Sequence, residues 1–431
     1  MSPSQTHKST LKKDQKIEVL VITTQYAPDF GPSAPIYTAL CEDLQQIGCN
    51  VTVITAFPHY ANAKELFWHS KKLIEESTLN DVRIIRTYIY TVPKSSLWRR
   101  LLYHASFNFF STLALFKARK PDIVLADAPT LCSGMALTFR CFLGRTPFIY
   151  IVQDIYPDVL ERLGVLKNQR ILNFIGGVEK IIYMKAARIS VLSKGFKENI
   201  VHKGIPEEKI TVIPVGVDTD FIKPLESNNE LRKKWDLENK FVVLYAGNIG
   251  FSQGLETIVQ AAKLLSDHPD IVFVIVGDGS MKGQLQAMAD ESGLSSVKIL
   301  PFQPTECVPL IYALADVCLV PLKRDIVVES VPSKTYSIMA SGRPFIATVD
   351  KRTEIGQLAE QTRSGIRVEP ENAEELSKAI RKLQKDDQLR NEMGDKGRNY
   401  VMETCSRHTA AKQHLELILK ALGKDQQVCE N

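Results

Sequence analysis

No stretch of the sequence stays apolar for the roughly 18–20 residues a membrane-spanning helix needs. Every apolar run is broken sooner by charge or polarity. The opening residues, MSPSQTHKSTLKKDQK, lack the apolar core of a secretory signal, and residues 1–15 are expected to be a disordered lead-in. The eight cysteines (41, 49, 132, 141, 307, 318, 405, 429) include no CxxC pair. That removes the usual zinc and dithiol frameworks, and their mostly apolar neighbours point to reduced, buried thiols of a cytosolic protein. Neither half follows its first strand with GxGxxG, which argues against a two-domain dehydrogenase. The basic residues are not interleaved with an RNA- or DNA-reading motif, so nucleic acid is not an expected partner.

What is present is a globular composition. The 431 residues are 44% hydrophobic and 24% charged, enough for two domains. Charge is spread unevenly. Residues 1–200 hold 25 Lys+Arg against 16 Asp+Glu, a net of +9, and the remainder holds 29 against 33, a net of −4. The basic first half suggests contact with a polyanionic surface. Within it, Lys94 to Lys120 predicts a helix carrying Trp98, Leu101, Leu102, Phe109, Phe110, Leu113 and Phe116, flanked by Lys94, Arg99, Arg100, Lys117, Arg119 and Lys120. Two readings stay open: a core helix with solvated ends, or a patch whose aromatics enter the headgroups of an anionic membrane.

The order of elements is α/β. KIEVLVIT (16–23) reads as a buried parallel strand. A Pro/Gly loop follows, in which Gly31 allows close backbone approach to a ligand. A helix over 35–47 and a strand over 51–56 come next, the start of a doubly wound domain. Further strands over 121–126 and 147–152 follow, and the second ends in QDIYPD. Asp154 therefore lies beyond a strand's carboxyl end, where ligands of open α/β sheets bind. The pattern restarts with FVVLYA (241–246), the Gly247–Gly250 loop, a strand ending at Gly277, and another ending at Pro301-Phe302. The expected organisation is a domain over 16–217, a linker over 218–239, a second domain over 240–402, and a C-terminal helix over 403–431 that by fold analogy returns to the first. Asp218-Thr219-Asp220 matches a metal–nucleotide-sugar pattern, but its place in a linker turn argues for a structural role.

The stretch VPLKRDIVVESVPSKTYSIMASGRPFIATVD (320–350) concentrates the chemistry. Ser333 reads as the N-cap of a helix that follows a buried strand. The free amides and dipole of that helix start favour an anion. Lys334 and Ser337 share one helix face, and Glu329 lies in the loop before it. An anion cradle, a lysine and a carboxylate suit a ligand that is phosphorylated and carries hydroxyls.

Five segments extend this: IVQDIYPDVLERLGVL (151–166), VIPVGVDTDFIKP (212–224), YAGNIGFSQGLETIVQAA (245–262), IVGDGSMKGQL (275–285) and VPSKTYSIMASGRPFIA (331–347). Together they resemble the retaining glycosyltransferases of family 4. Within that family they resemble the bacterial transferases of colanic-acid and O-antigen synthesis, including N-acetyl-fucosamine transferases. The resemblance implies a GT-B fold, two doubly wound Rossmann-like domains facing a cleft. It also implies transfer of a sugar from a nucleotide-sugar donor, UDP- or GDP-linked, to a lipid-linked acceptor at the cytoplasmic face of the membrane. Family 4 carries two glutamates eight positions apart: the first matches Glu329, which would hold the donor sugar's hydroxyls, and the second falls on Ser337, toward the ribose. The arginine and lysine that usually clamp the donor pyrophosphate are replaced by Asn248 and Gln253. Their burden would pass to Lys334, to the helix start at Ser333, and to Arg324 or Arg343. Gly277 and Phe302 would border the base, and Asp154 would orient or deprotonate the acceptor hydroxyl. No metal cage or cofactor is implied, though a loosely held divalent ion on the diphosphate stays open. So do two rival functions, a nucleotide-sugar epimerase of the same fold and a non-catalytic, membrane-associated sugar-nucleotide-binding subunit.

Overall fold

A computed structural model describes residues 16–424, apart from 30, 32, 61–71, 92–96, 128–144, 156–157, 159–160, 162–167 and 325–331. The chain divides into two compact units, Met1–Gly216 with Ala410–Asn431, and Val217–Thr409.

Among the described residues the first unit carries an eight-stranded sheet. Its strands are β1 (Glu18–Ile22), β2 (Asn50–Ala56), β3 (Ile74–Leu79), β4 (Val82–Thr87), β5 (Ile123–Asp127), β6 (Phe148–Val152), β7 (Arg188–Val191) and β8 (Ile210–Val212). They lie in the order β3-β4-β2-β1-β5-β6-β7-β8. All neighbours are parallel except β3 and β4, which pair antiparallel. Strand β3 (IEESTL) was absent from the sequence reading, because a largely exposed, polar edge strand carries no apolar signal. The parallel strands are Val/Ile/Leu runs buried on both faces. Alternate residues divide between two cores. Leu20 and Ile22 meet Phe107, Ile182, Tyr183 and Phe196 on one face, and Val19 and Val21 meet Tyr37, Leu44, Ala411 and Ile418 on the other.

The second unit carries β9 (Phe241–Ala246), β10 (Ile271–Val276), β11 (Val297–Leu300), β12 (Val317–Pro321), β13 (Phe345–Thr348) and β14 (Gly365–Val368). They form a parallel sheet ordered β11-β10-β9-β12-β13-β14. The 218–239 stretch, expected as a linker, is packed: Ile222, Leu231, Trp235 and Leu237 belong to this unit's core. Its charged residues hide those four apolar anchors from a composition-based reading. Asp218 closes the turn there. Its carboxylate accepts from the amides of Asp220 (3.1 Å) and Phe221 (2.9 Å) and pairs with Arg407 at 3.1 Å.

Candidate nucleotide-sugar site

In the second sheet the chain travels one way from β9 to β11 and the other way from β12 to β14. The reversal falls between β9 and β12, and ligands of doubly wound sheets bind at such a switch point, outside the carboxyl ends of the strands. The Gly247–Gly250 loop leaves β9 there, and Gly277-Asp278-Gly279 leaves β10. The amides of Gly247 and Ile249 donate to the carbonyls of Val276 (3.0 Å) and Asp278 (2.8 Å). A Cβ on Gly277 would lie 1.9 Å from the Gly247 carbonyl oxygen, and one on Gly279 would lie 2.3 Å from that of Ile249. The two loops stack backbone on backbone, which is why glycine is needed at both positions.

Over this platform the helix Ser333–Ala340 begins. Its N-cap is Pro332, in extended backbone, with no side-chain cap, so the expected capping by Ser333 is corrected. Ser333 is already helical, and its carbonyl accepts from the Ser337 hydroxyl at 3.3 Å. Lys334 turns inward. Its ammonium donates to Gln253 Oε1 at 3.0 Å, lies 3.5 Å from the Tyr245 hydroxyl, and sits 4.5 Å from that ring's centroid. Burial pulls its pKa down to about 8. Among the described residues no carboxylate pairs with it, so the site holds a desolvated cation answered by the Gln253 amide oxygen and by the hydroxyl and ring of Tyr245.

Tyr245 was missed by sequence reasoning, because it reads as one more apolar residue of FVVLYA. It is buried, and its hydroxyl donates to the Asn248 carbonyl at 2.6 Å, tying the glycine loop to the lysine. Lys323 was also missed. It follows β12, lies 3.4 Å from Glu256 Oε1 and stands 3.8 Å over the Phe251 ring centroid, a second cation beside the same loop. The Asn248 and Phe302 side chains are exposed at this carboxyl edge. Arg343 is not: it precedes β13 at the opposite edge and donates to the Leu225 carbonyl at 2.9 Å. Arg324 is engaged by the Pro370 carbonyl at 3.0 Å. Glu329 lies outside the described residues.

The first sheet reverses between β1 and β5, and that switch point is acidic. Asp127, the last residue of β5, is buried. It accepts from the Tyr37 hydroxyl at 2.7 Å and the Thr23 hydroxyl at 3.1 Å. Burial lifts its pKa to about 7, and the nearby charge of Asp154 adds to the rise, while the two hydroxyl bonds oppose it. Asp154 itself is exposed just past β6. Ser33 at the start of the helix Ala34–Gln46 donates to Gln153 Oε1 at 3.3 Å. Gly31 lies against the end of the Gln25 side chain, whose Cδ a Cβ would approach to 2.2 Å unless that side chain moved. The expected strand ended at Ala126, one residue short of Asp127. An acid closing an otherwise apolar run was the available signal.

Among the described residues no group of three or more His, Cys, Asp or Glu is placed to hold a metal ion. No described helix is long and apolar enough to cross a membrane. Cys41, Cys49, Cys318 and Cys405 are free and buried, and Cys307 is free and partly buried.

Two doubly wound units, each with its own switch-point constellation, define a class. Among solved structures, Anabaena HepE in complex with UDP is similar over 93% of this chain and 99% of its own, with a TM-score of 0.67 and 17% identity. WaaG, a glycosyltransferase involved in lipopolysaccharide biosynthesis, is similar over 93% and 99%, with a TM-score of 0.62 and 16% identity. The fold is GT-B, with two Rossmann-like domains. A model of the group 1 glycosyl transferases matches residues 227–400, and a model of glycosyltransferase family 4 matches residues 36–221. The putative colanic acid biosynthesis glycosyl transferase WcaI of Escherichia coli (strain K12) is 31% identical over 381 residues, 85% of this chain and 91% of that protein. The chain belongs to the family 4 glycosyltransferases of group 1, and it is an enzyme of that kind.

Proposed function

We propose that this enzyme moves a sugar, with retention at the anomeric carbon, from a UDP- or GDP-linked donor to a lipid-linked saccharide during bacterial exopolysaccharide or O-antigen synthesis, at the cytoplasmic face of the membrane. The similarity to WcaI supports the pathway class, and the UDP in the HepE structure supports the donor class. The observation that carries the reading is Lys334. It is a buried ammonium with no carboxylate partner among the described residues, at a helix start over two stacked glycine loops.

Departure of a nucleoside diphosphate leaves an oxocarbenium-like sugar, and stabilising the departing charge lowers that barrier most. Lys334 and the amides of its helix do this here. Gln253 and Tyr245 hold the ammonium in place, Ser337 and Glu329 bind ribose and sugar hydroxyls, and Phe302 and the Gly277 backbone border the base. In the first unit Asp154 orients or deprotonates the acceptor hydroxyl, and its neighbour Asp127, half-protonated near neutral pH, tunes it. The helix Leu97–Ala114 supports the lipid side of the reading. Leu102, Phe109 and Leu113 are exposed on it, while Phe107 and Ala114 are buried. Lys94 and the side chains of Trp98, Arg100 and Leu101 lie outside the described residues.

Calorimetry with UDP, GDP, ADP and NAD⁺, each with and without EDTA, tests the donor site. Selective binding of UDP or GDP is expected. Loss of that binding with EDTA would assign part of the diphosphate's neutralisation to a divalent ion, and no nucleotide binding would overturn the assignment of the donor site to Lys334 and its loops.

A further inference from the structure

The helix Gln169–Lys185 is apolar on two sides. One side is buried: Leu172, Glu179, Ile182 and Tyr183 pack toward the sheet. The other exposes Ile171, Phe174, Val178, Ile181 and Met184, with Phe174 72% and Ile181 58% exposed. The spacing of 3, 4, 3 and 3 is helical, and at 100° per residue it makes an outer stripe whose centre lies about 150° from that of the buried one. A solvated surface helix carries polar residues there. Five large apolar side chains in one row are a contact surface.

Charge identifies what is contacted. Arg170 lies at the start of the stripe, Lys185 at its end and Lys180 on its flank, all exposed and without an ion pair among the described residues. The helix's one acid, Glu179, is buried and held by Tyr183 at 2.8 Å and Lys203 at 3.4 Å. The neighbouring acid Glu207 is paired with Lys197 at 2.9 Å. Ile182 and Tyr183 share a core with Phe107 and Ala114, so this helix covers the same sheet face as Leu97–Ala114. Between Asp81 and Asp122 the sequence holds no acid, so that second helix is cationic too.

We propose that the outer face of Gln169–Lys185 is a docking surface for an anionic lipid bilayer. Its apolar row enters the headgroup–acyl boundary, and Arg170, Lys180 and Lys185 bind the phosphates. The proposal rests on the membrane reading of the helix Leu97–Ala114 and adds a second, separately testable contact.

The test is flotation of the full chain with vesicles of phosphatidylcholine alone or mixed with phosphatidylglycerol, at low and high salt. Wild type is expected to bind the mixed vesicles at low salt only. Phe174→Ser combined with Ile181→Ser is expected to weaken binding about tenfold. Changing Arg170, Lys180 and Lys185 to Gln should weaken it about 100-fold, since each cation near an anionic surface contributes several-fold. Circular dichroism and melting confirm folding, because every altered residue is exposed. Wild-type binding by both variants, with loss only in Phe109→Ser combined with Leu113→Ser, would overturn this contact and leave the earlier membrane reading standing. No binding by wild type would overturn both. A dimer in sedimentation that Phe174→Ser and Ile181→Ser dissociate, without any vesicle effect, would overturn it in favour of a second copy.

Discussion

The two sheets reverse direction in the same way and equip the reversal with opposite charges. In the first, a buried carboxyl, Asp127, closes β5 and is held by Tyr37 and Thr23. In the second, a buried ammonium, Lys334, opens a helix and is held by Gln253 over Tyr245. One cause, desolvation, moves both toward neutrality, the acid up to about 7 and the lysine down to about 8. Burial disfavours in each the charged form that water would favour. In the proposed reading a diphosphate would stabilise the ammonium, and Asp127 would act on the acceptor only through its neighbour Asp154.

Breaking the basic site should have the largest effect. Lys334→Ala is expected to lower sugar transfer by about 10²–10³-fold, the range for losing one strong electrostatic donor. Turnover measured with saturating donor checks it, and a rate near that of wild type refutes the leaving-group role. Gly277→Ala should come next. A methyl group cannot lie 1.9 Å from the Gly247 carbonyl oxygen, so the stacked loops must part. Overpacking of this kind costs about 1–3 kcal/mol, read as a drop in nucleotide affinity with a lower melting point for the second unit.

A pH titration sharpens the comparison without mutation. UDP or GDP affinity should fall as pH rises through about 8, where free Lys334 loses its proton, and Lys334→Met should flatten the curve. The smallest effect on sugar transfer concerns Asp127, whose change is read on stability. Its folded pKa lies above the ordinary 3.8, so the folded state holds the proton longer than the unfolded one. Its contribution to stability is full below about pH 4 and is lost as pH rises to about 7. Asp127→Asn should remove that decline, changing the difference in melting temperature between pH 4 and 7 by about 10 °C at most.

How much of this could be read beforehand differs between the sites. Lys334 was legible because a strand, a polar loop and a helix start leave a local pattern in VPSKTYS. The partners Tyr245 and Lys323 were not, since one looks like strand core and the other like a loop charge. Ser333 looked like a cap because its chemistry fits, but Pro332 took the position with its extended backbone. Arg343 looked available for phosphate until the helix carried it to the opposite edge of the sheet. Asp127 was hidden by a strand boundary set one residue early.

By itself the sequence determined the α/β class, the two doubly wound units and the family, because buried parallel strands, glycine loops and helix starts are local patterns with short-range physical causes. Only the tertiary structure decided which side chains share a site. Strand order brings Lys334 to Tyr245, Thr23 to Asp127, and two apolar-faced helices onto one side of a sheet. Those neighbours are far apart in sequence, and burial, which sets their charge, is a property of the packed whole.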